Sequence, residues 1–110
     1  MDFNEYQRAA MKTAIYPETS QVLYPTLLLA SEAGEVAGKI QKLVRSGKDL
    51  SLLKYDDKSA IVGELGDCLW SIAALASDLG VNLQNIASGN IEKLASRKAR
   101  NVLEGNGDNR

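Results

Sequence analysis

Apolar residues recur every three or four positions along most of this chain, and no segment reads as a convincing strand. The pattern predicts four helices. The first runs from about Asp2 to Ile15, with Asp2 as N-cap; Tyr16-Pro17 ends it, because the residue before proline disfavours the helical region. A short polar connection, Glu18 to Gln21, follows. The second helix starts near Pro25, where proline suits a first turn, and runs to about Arg45, with Gly47 as the C′ residue. Ser46 to Tyr55 reads as a loop holding a helical turn at Leu50 to Leu53. The third helix spans about Asp57 to Leu79, capped by Asp56 or Asp57 and closed by Gly80. The fourth follows Asn82 and reaches about Val102. The domain is therefore residues 1–103, and residues 104–110 form a polar, Gly-rich tail expected to be mobile unless something holds it.

Helices two and three repeat one another. Glu32-Ala33-Gly34-Glu35 and Glu64-Leu65-Gly66-Asp67 are both acid-x-Gly-acid, and Ile40 and Leu43 follow the first as Ile72 and Leu75 follow the second. At about 100° per residue, Leu29, Val36, Ile40 and Leu43 share one face, as do Ile61, Leu65, Leu69 and Ile72. Glu32 and Glu64 fall on the same border of those faces, and Glu35 and Asp67 lie about 60° further round. Residues three apart on a helix are neighbours, so each pair can share a cation. An antiparallel hairpin turning near Asp49-Leu50 would bring the pairs together as one layer. A glycine inside a helix costs about 1 kcal/mol, so Gly34 and Gly66 call for a local reason: close helix approach, or room for a ligand.

At 110 residues the chain is one domain with a modest core, so oligomerisation is expected. A net charge of −1 gives no basic field for a nucleic-acid polymer. No apolar run approaches the roughly 18 residues of a membrane span. The acidic start, Met1 to Glu5, lacks the basic-then-apolar order of a secretory leader, and the single Cys68 excludes an internal disulfide. A cytoplasmic protein is the expectation. The absence of histidine decides more. It removes imidazole bases, Ser-His and Cys-His nucleophiles, the usual zinc sites, and di-iron bundles built on Glu-x-x-His. Oxygen-ligand chemistry with Mg²⁺, Mn²⁺ or Ca²⁺ remains. Four close carboxylates cannot all stay ionised without cations. Such a cage leaves metal positions open for phosphate oxygens and a water, and so suits phosphoanhydride hydrolysis.

With these residues in place, the chain resembles the MazG-like nucleoside triphosphate pyrophosphohydrolases of the all-α NTP pyrophosphatase group, over nearly its whole length. The family's E-x-x-E … E-x-x-D pattern is present as Glu32/Glu35 and Glu64/Asp67. Further matches are Tyr24-Pro25-Thr26-Leu27, Glu35-Val36-Ala37-Gly38-Lys39, Gly66-Asp67-Cys68-Leu69-Trp70, Asn90-x-x-Lys93-x-x-x-Arg97, and the ending Gly105-x-Gly107-Asp108-x-Arg110. Many members carry a further Glu directly before the first pair, where this chain has Ser31. The resemblance implies an all-α four-helix fold around a central antiparallel hairpin, assembled as a homodimer or homotetramer with sites near subunit interfaces. It also implies Mg²⁺-dependent hydrolysis of an NTP or dNTP between the α and β phosphates, with Mn²⁺ as a substitute and nucleotide-pool house-cleaning as the role.

The expected site follows. Glu32, Glu35, Glu64 and Asp67 hold metal, and Glu35 activates the water. Lys93 and Arg97, one turn apart, bind phosphates with help from Lys39. Trp70 stacks on the base, and Asn90 bonds a sugar or base edge. Each has a plainer alternative. The acids also fit a solvated helix border paired with Lys39, Lys42 or Lys58, and Lys93 and Arg97 a basic helix C-terminus. Trp70 also fits packing, and Asn90 a surface position. Tyr6, Tyr16 and Tyr24 read as packing residues, although the first helix is also placed to help form a base pocket. Two competing functions stand beside the main one: dUTP/dCTP or phosphoribosyl-ATP hydrolysis, and a non-catalytic helical module whose acids bind a basic partner or a structural cation.

Overall fold

The computed structural model describes residues 1–110. It is all-helical: α1 (Phe3–Met11), α2 (Leu23–Arg45), α3 (Tyr55–Asp78) and α4 (Leu83–Ala99), with 3₁₀ turns at Glu18–Ser20 and Leu50–Leu52. The long helices α2 and α3 pack along one another as the central hairpin; α1 lies on α3, and α4 rests on α1 and more lightly on α3.

The helix ends follow local chemistry. Asp2 accepts the Glu5 N–H while Glu5 accepts the Asp2 N–H, a reciprocal capping box at the start of α1. Helices α2, α3 and α4 all close in the same way, with Gly47 (φ 72°), Gly80 (φ 72°) and Asn101 (φ 59°) in the left-handed region. In each, the following residue donates five positions back: Lys48 to Leu43, Val81 to Ala76, Val102 to Arg97. Asn101 does this in place of glycine, which moves the end of α4 from the expected Val102 back to Ala99.

Other boundaries move for reasons of tertiary contact. Helix α1 stops at Met11, short of Ile15, because its last carbonyls are closed by tight i+3 bonds and the Ala10 carbonyl also accepts from Thr13 Oγ1 and Trp70 Nε1. Helix α2 begins at Leu23, and Pro25 occupies its third position, where the N–H would be unpaired in any case. Val22 precedes it at φ 67°, a strained conformation for a β-branched residue. Asp78 at the end of α3 accepts both the Val22 N–H (2.9 Å) and the Tyr16 hydroxyl (2.8 Å), fixing that corner from outside. Helix α3 starts at Tyr55, so Asp56 and Asp57 lie in its first turn, where their charge opposes the positive helix end, rather than at the cap.

The interior is small. Ala73, Ala74, Ala76, Ser71, Pro25 and Leu83 are its most buried members, and ten of 110 residues are buried in all. Gln7 fastens three helices there: Nε2 donates to Ser77 Oγ (2.9 Å) and the Val81 carbonyl (3.1 Å), and Oε1 accepts the Leu83 N–H (2.7 Å). The accessible surface is 7874 Å². A compact monomer of 11.9 kDa would expose about 5,900 Å². Helix α3 is long and apolar enough by composition to cross a membrane, which amends the expectation from sequence; its run is interrupted by Glu64 and Asp67, and it is the central helix of the bundle.

The tail is folded rather than loose. Arg110 donates to the carbonyls of Val102 (3.0 Å), Leu103 (3.2 Å) and Gly107 (2.6 Å), and Arg100 donates to the Arg110 carbonyl (2.7 Å). The expected mobility gives way because the carbonyls that follow α4 find arginine donors within the same chain. Gly105 leaves room there for the Arg110 side chain, which a Cβ would push aside.

Candidate metal and nucleotide site

The hairpin brings Glu32 of α2 and Glu64 and Asp67 of α3 to one place. Each offers a carboxylate oxygen, and these oxygens lie within 4.8 Å of one another. Opposite oxygens around Mg²⁺ or Ca²⁺ stand about 4–5 Å apart, so the spacing suits a hard divalent ion. Glu32 and Glu64 are half-buried and Asp67 is exposed, which leaves one side of the group open. The carboxyl of Glu32 is pushed above the ordinary carboxylate range. Partial desolvation leads; the charges of Asp67 and Glu64, a hydrogen bond to Glu64, and the charge of Glu35 add to it. The Glu32 carboxyl thus feels the negative charge of its neighbours, which a cation would relieve. Lys39 Nζ, 3.4 Å from Glu64 Oε1, is the cation that does stand there.

Glu35 stays outside that group. It is exposed and acts on Glu32 through its charge alone. Gly34 and Gly66 have open space where a Cβ would be, so close helix approach is not their reason within one chain.

The remaining expected residues divide. Trp70 is part of the α1–α3 packing: Nε1 donates to Thr13 Oγ1 (2.8 Å) and the Ala10 carbonyl (3.2 Å), and its ring meets Tyr16 edge-on at 6.5 Å. Tyr16 in turn stacks on Tyr24 at 4.9 Å. Asn90 is exposed on α4. Lys93 and Arg97 share Asp108 of the tail, at 3.5 and 3.4 Å, and no charge of α4 is among those acting on Glu32.

Sequence reasoning placed Tyr6 among packing residues, yet it lies close enough to Asp67 that this charge, after burial, raises its hydroxyl above the ordinary value. Tyr6 also lines a cavity of about 270 Å³ with Met1, Asp2, Phe3, Leu69 and Gln84. The signal for this was weak in the sequence, because nothing local tells which face of a nine-residue helix meets α3.

A family model, the MazG nucleotide pyrophosphohydrolase domain, matches residues 20–102. The chain belongs to that family. The match holds both acid pairs, Lys39 and the whole of α4, and leaves α1 and the tail outside it. A relative of this MazG-family chain is the Gene 37 protein of Mycobacterium phage L5, 40% identical over 116 aligned positions that cover all of both chains. No solved structure matches.

Proposed function

We propose that this MazG-family chain hydrolyses nucleoside or deoxynucleoside triphosphates between the α and β phosphates, releasing monophosphate and pyrophosphate, in a Mg²⁺-dependent reaction that Mn²⁺ also supports. The observation that carries this reading is the convergence of Glu32, Glu64 and Asp67 on one open point, where a contact from Lys39 Nζ to Glu64 offsets part of their charge. These residues hold the ion. When bound, Mg²⁺ supplies positive charge at phosphate oxygens and lowers the pKa of a water. Glu35, adjacent but not engaged with the three, accepts the proton of the attacking water at its carboxylate. With an ion held by Glu64, Lys39 Nζ would be free to turn from that carboxylate towards the phosphates. Lys93 and Arg97 bind phosphate oxygens further along the chain of anhydrides.

The cavity beside Tyr6 takes the base. A nucleobase needs a flat apolar slot with a polar rim, and Phe3, Tyr6 and Leu69 offer the first while Gln84 and Asp2 offer the second. Removal of unwanted nucleotides from the pool is the role this chemistry suits.

Self-association belongs to the same proposal. The surface beyond that of a compact monomer is roughly 1,900 Å², and a standard interface takes about 800 Å² from each partner. Leu27, Val62, Leu65 and Ile91 are more than half exposed and apolar, as a dimer or tetramer of helix faces would require. A second copy is also a source of further cations at the acid group, beside the Lys39 of its own chain.

Pyrophosphate release from a panel of ordinary and modified NTPs and dNTPs, with Mg²⁺ and with chelator, tests the proposal. Metal-dependent release that Glu64→Gln abolishes is expected. No release from any nucleotide by folded, metal-bound protein overturns it in favour of a non-catalytic helical module.

A further inference from the structure

The cation pair on α4 is already satisfied by an anion that the chain itself supplies. Asp108 Oδ1 stands 3.5 Å from Lys93 Nζ and 3.4 Å from Arg97 Nη2. Arg97 is 94% buried, its side chain lying beneath the tail, and its Nη2 also donates to the Asp108 carbonyl (3.1 Å). Its Nε is buried and has no partner. A buried guanidinium N–H left unpaired costs about 1–3 kcal/mol, so a fold that keeps one has not saturated this arginine. Asp108 is different: its side chain is 87% exposed. It is held by charge rather than by packing, and the positive charge of Lys93, then the hydrogen bond from Arg97, keep its carboxyl below the ordinary range.

The tail behaves as a built loop. Arg110 bridges three carbonyls, Gly107 takes φ 82°, and Gly105 makes room for the Arg110 stem. The effect of that construction is to set one carboxylate over Lys93 and Arg97. Replacing that carboxylate requires a more highly charged anion, because exchange for another single carboxylate gains nothing. A pyrophosphate group, with two or more charges and oxygens enough for both cations, meets the requirement.

We propose that the tail is a self-supplied anionic plug, in which Asp108 occupies the Lys93–Arg97 pair and competes with di- and triphosphate groups for it. This rests on the reading of Lys93 and Arg97 as phosphate ligands given above. A phosphate chain displaces Asp108, the tail leaves the surface of α4, and affinity for substrate is lowered by the strength of the contact displaced. An exposed carboxylate shared by two cations sets that strength at about two- to fivefold in affinity.

Titration calorimetry with inorganic pyrophosphate, in chelator so that the acid group takes no part, tests the proposal on the full chain. Asp108→Asn is expected to bind about two- to fivefold more tightly than the parent, and the difference is expected to shrink as salt is raised. Arg110→Gln keeps the Asp108 charge but removes the donor that holds the loop, and is also expected to bind more tightly. A tail that merely shapes the site would give the opposite sign for Arg110→Gln. Unchanged or weaker pyrophosphate binding in both variants overturns the plug. Lys93→Gln separates this from the functional reading. If it abolishes pyrophosphate binding but leaves the KM for the nucleotide unaltered, the plug stands and the assignment of Lys93 to substrate falls. If it raises KM while Asp108→Asn leaves pyrophosphate affinity unchanged, the plug falls and the phosphate assignment stands.

Discussion

Replacing Gln7 by Leu asks how much of this fold hangs on one buried amide. The side chains are close in volume, so the change deletes hydrogen bonds with little cavity. Gln7 Oε1 is the acceptor for the Leu83 N–H at 2.7 Å, at a residue 4% exposed in the first turn of α4. Without it, that N–H has no intrahelical partner and no route to water. An orphaned buried donor costs about 1–3 kcal/mol. The Val81 carbonyl loses its donor at 3.1 Å, and Ser77 Oγ loses one at 2.9 Å. Serine can turn its hydroxyl to its own helix, so its loss is small; the carbonyl adds about 1 kcal/mol. Burial of the new methyl groups returns roughly 1 kcal/mol of this, which leaves a destabilisation of about 1–3 kcal/mol. For a domain of this size the unfolding entropy is about 0.23 kcal/mol/K, so the midpoint should fall by about 4–13 °C. Differential scanning calorimetry of the metal-free protein measures it. A fall below about 3 °C would refute the reasoning, since it would mean that water or another side chain satisfies Leu83 as well as Gln7 does.

Three further outcomes are expected. The folded-state pKa of Glu32 is raised, so the folded chain holds more protons than the unfolded one between the unfolded value and the folded one, and stability contributed here falls as pH rises through that window. Glu32→Gln should therefore raise the neutral-pH melting temperature without metal and reduce the further rise that Mg²⁺ produces in the parent; a lowered metal-free midpoint would count against charge repulsion at the site. Val22→Gly should leave stability unchanged or improved, because relief of a strained φ of about 1–3 kcal/mol offsets the flexibility that glycine adds to the unfolded chain; a loss above 1 kcal/mol in urea unfolding would show that the Val22 side chain matters more than its backbone. Tyr16, pushed up to about 12 by burial and then by its hydrogen bond to Asp78, should titrate well above the ordinary tyrosine value by absorbance. Because its folded value lies above its unfolded one, the stability it contributes is lost as pH rises from about 10 towards 12, and Tyr16→Phe should remove that part of the alkaline loss.

The helices and their repeated acid pairs were legible in the sequence because both depend on near neighbours. Apolar spacing fixes which residues share a helical face. Asp2, Gly47 and Gly80 mark helix ends through contacts with residues a few positions away. Two acid pairs and one antiparallel turn place all four acids in one layer, so the meeting of Glu32 with Glu64 and Asp67 was readable without coordinates. Tertiary structure alone decided what depended on partners far along the chain. Gln7 finds Leu83 across 76 positions, and Trp70 gives its N–H to Thr13 across 57, which ties it into the packing. Asp78 holds the strained Val22 across 56 positions and so sets where α2 begins. Glu35 and Asp67 occupy equivalent places in the sequence repeat, yet only Asp67 joins the group within 4.8 Å. The tail shows the same limit at short range: its composition reads as mobile, but the direction of Arg97 and Arg110 side chains, which depends on rotamers and not on spacing, closes it over α4. Periodicity determines which face a residue occupies; only the packed chain determines what that face meets.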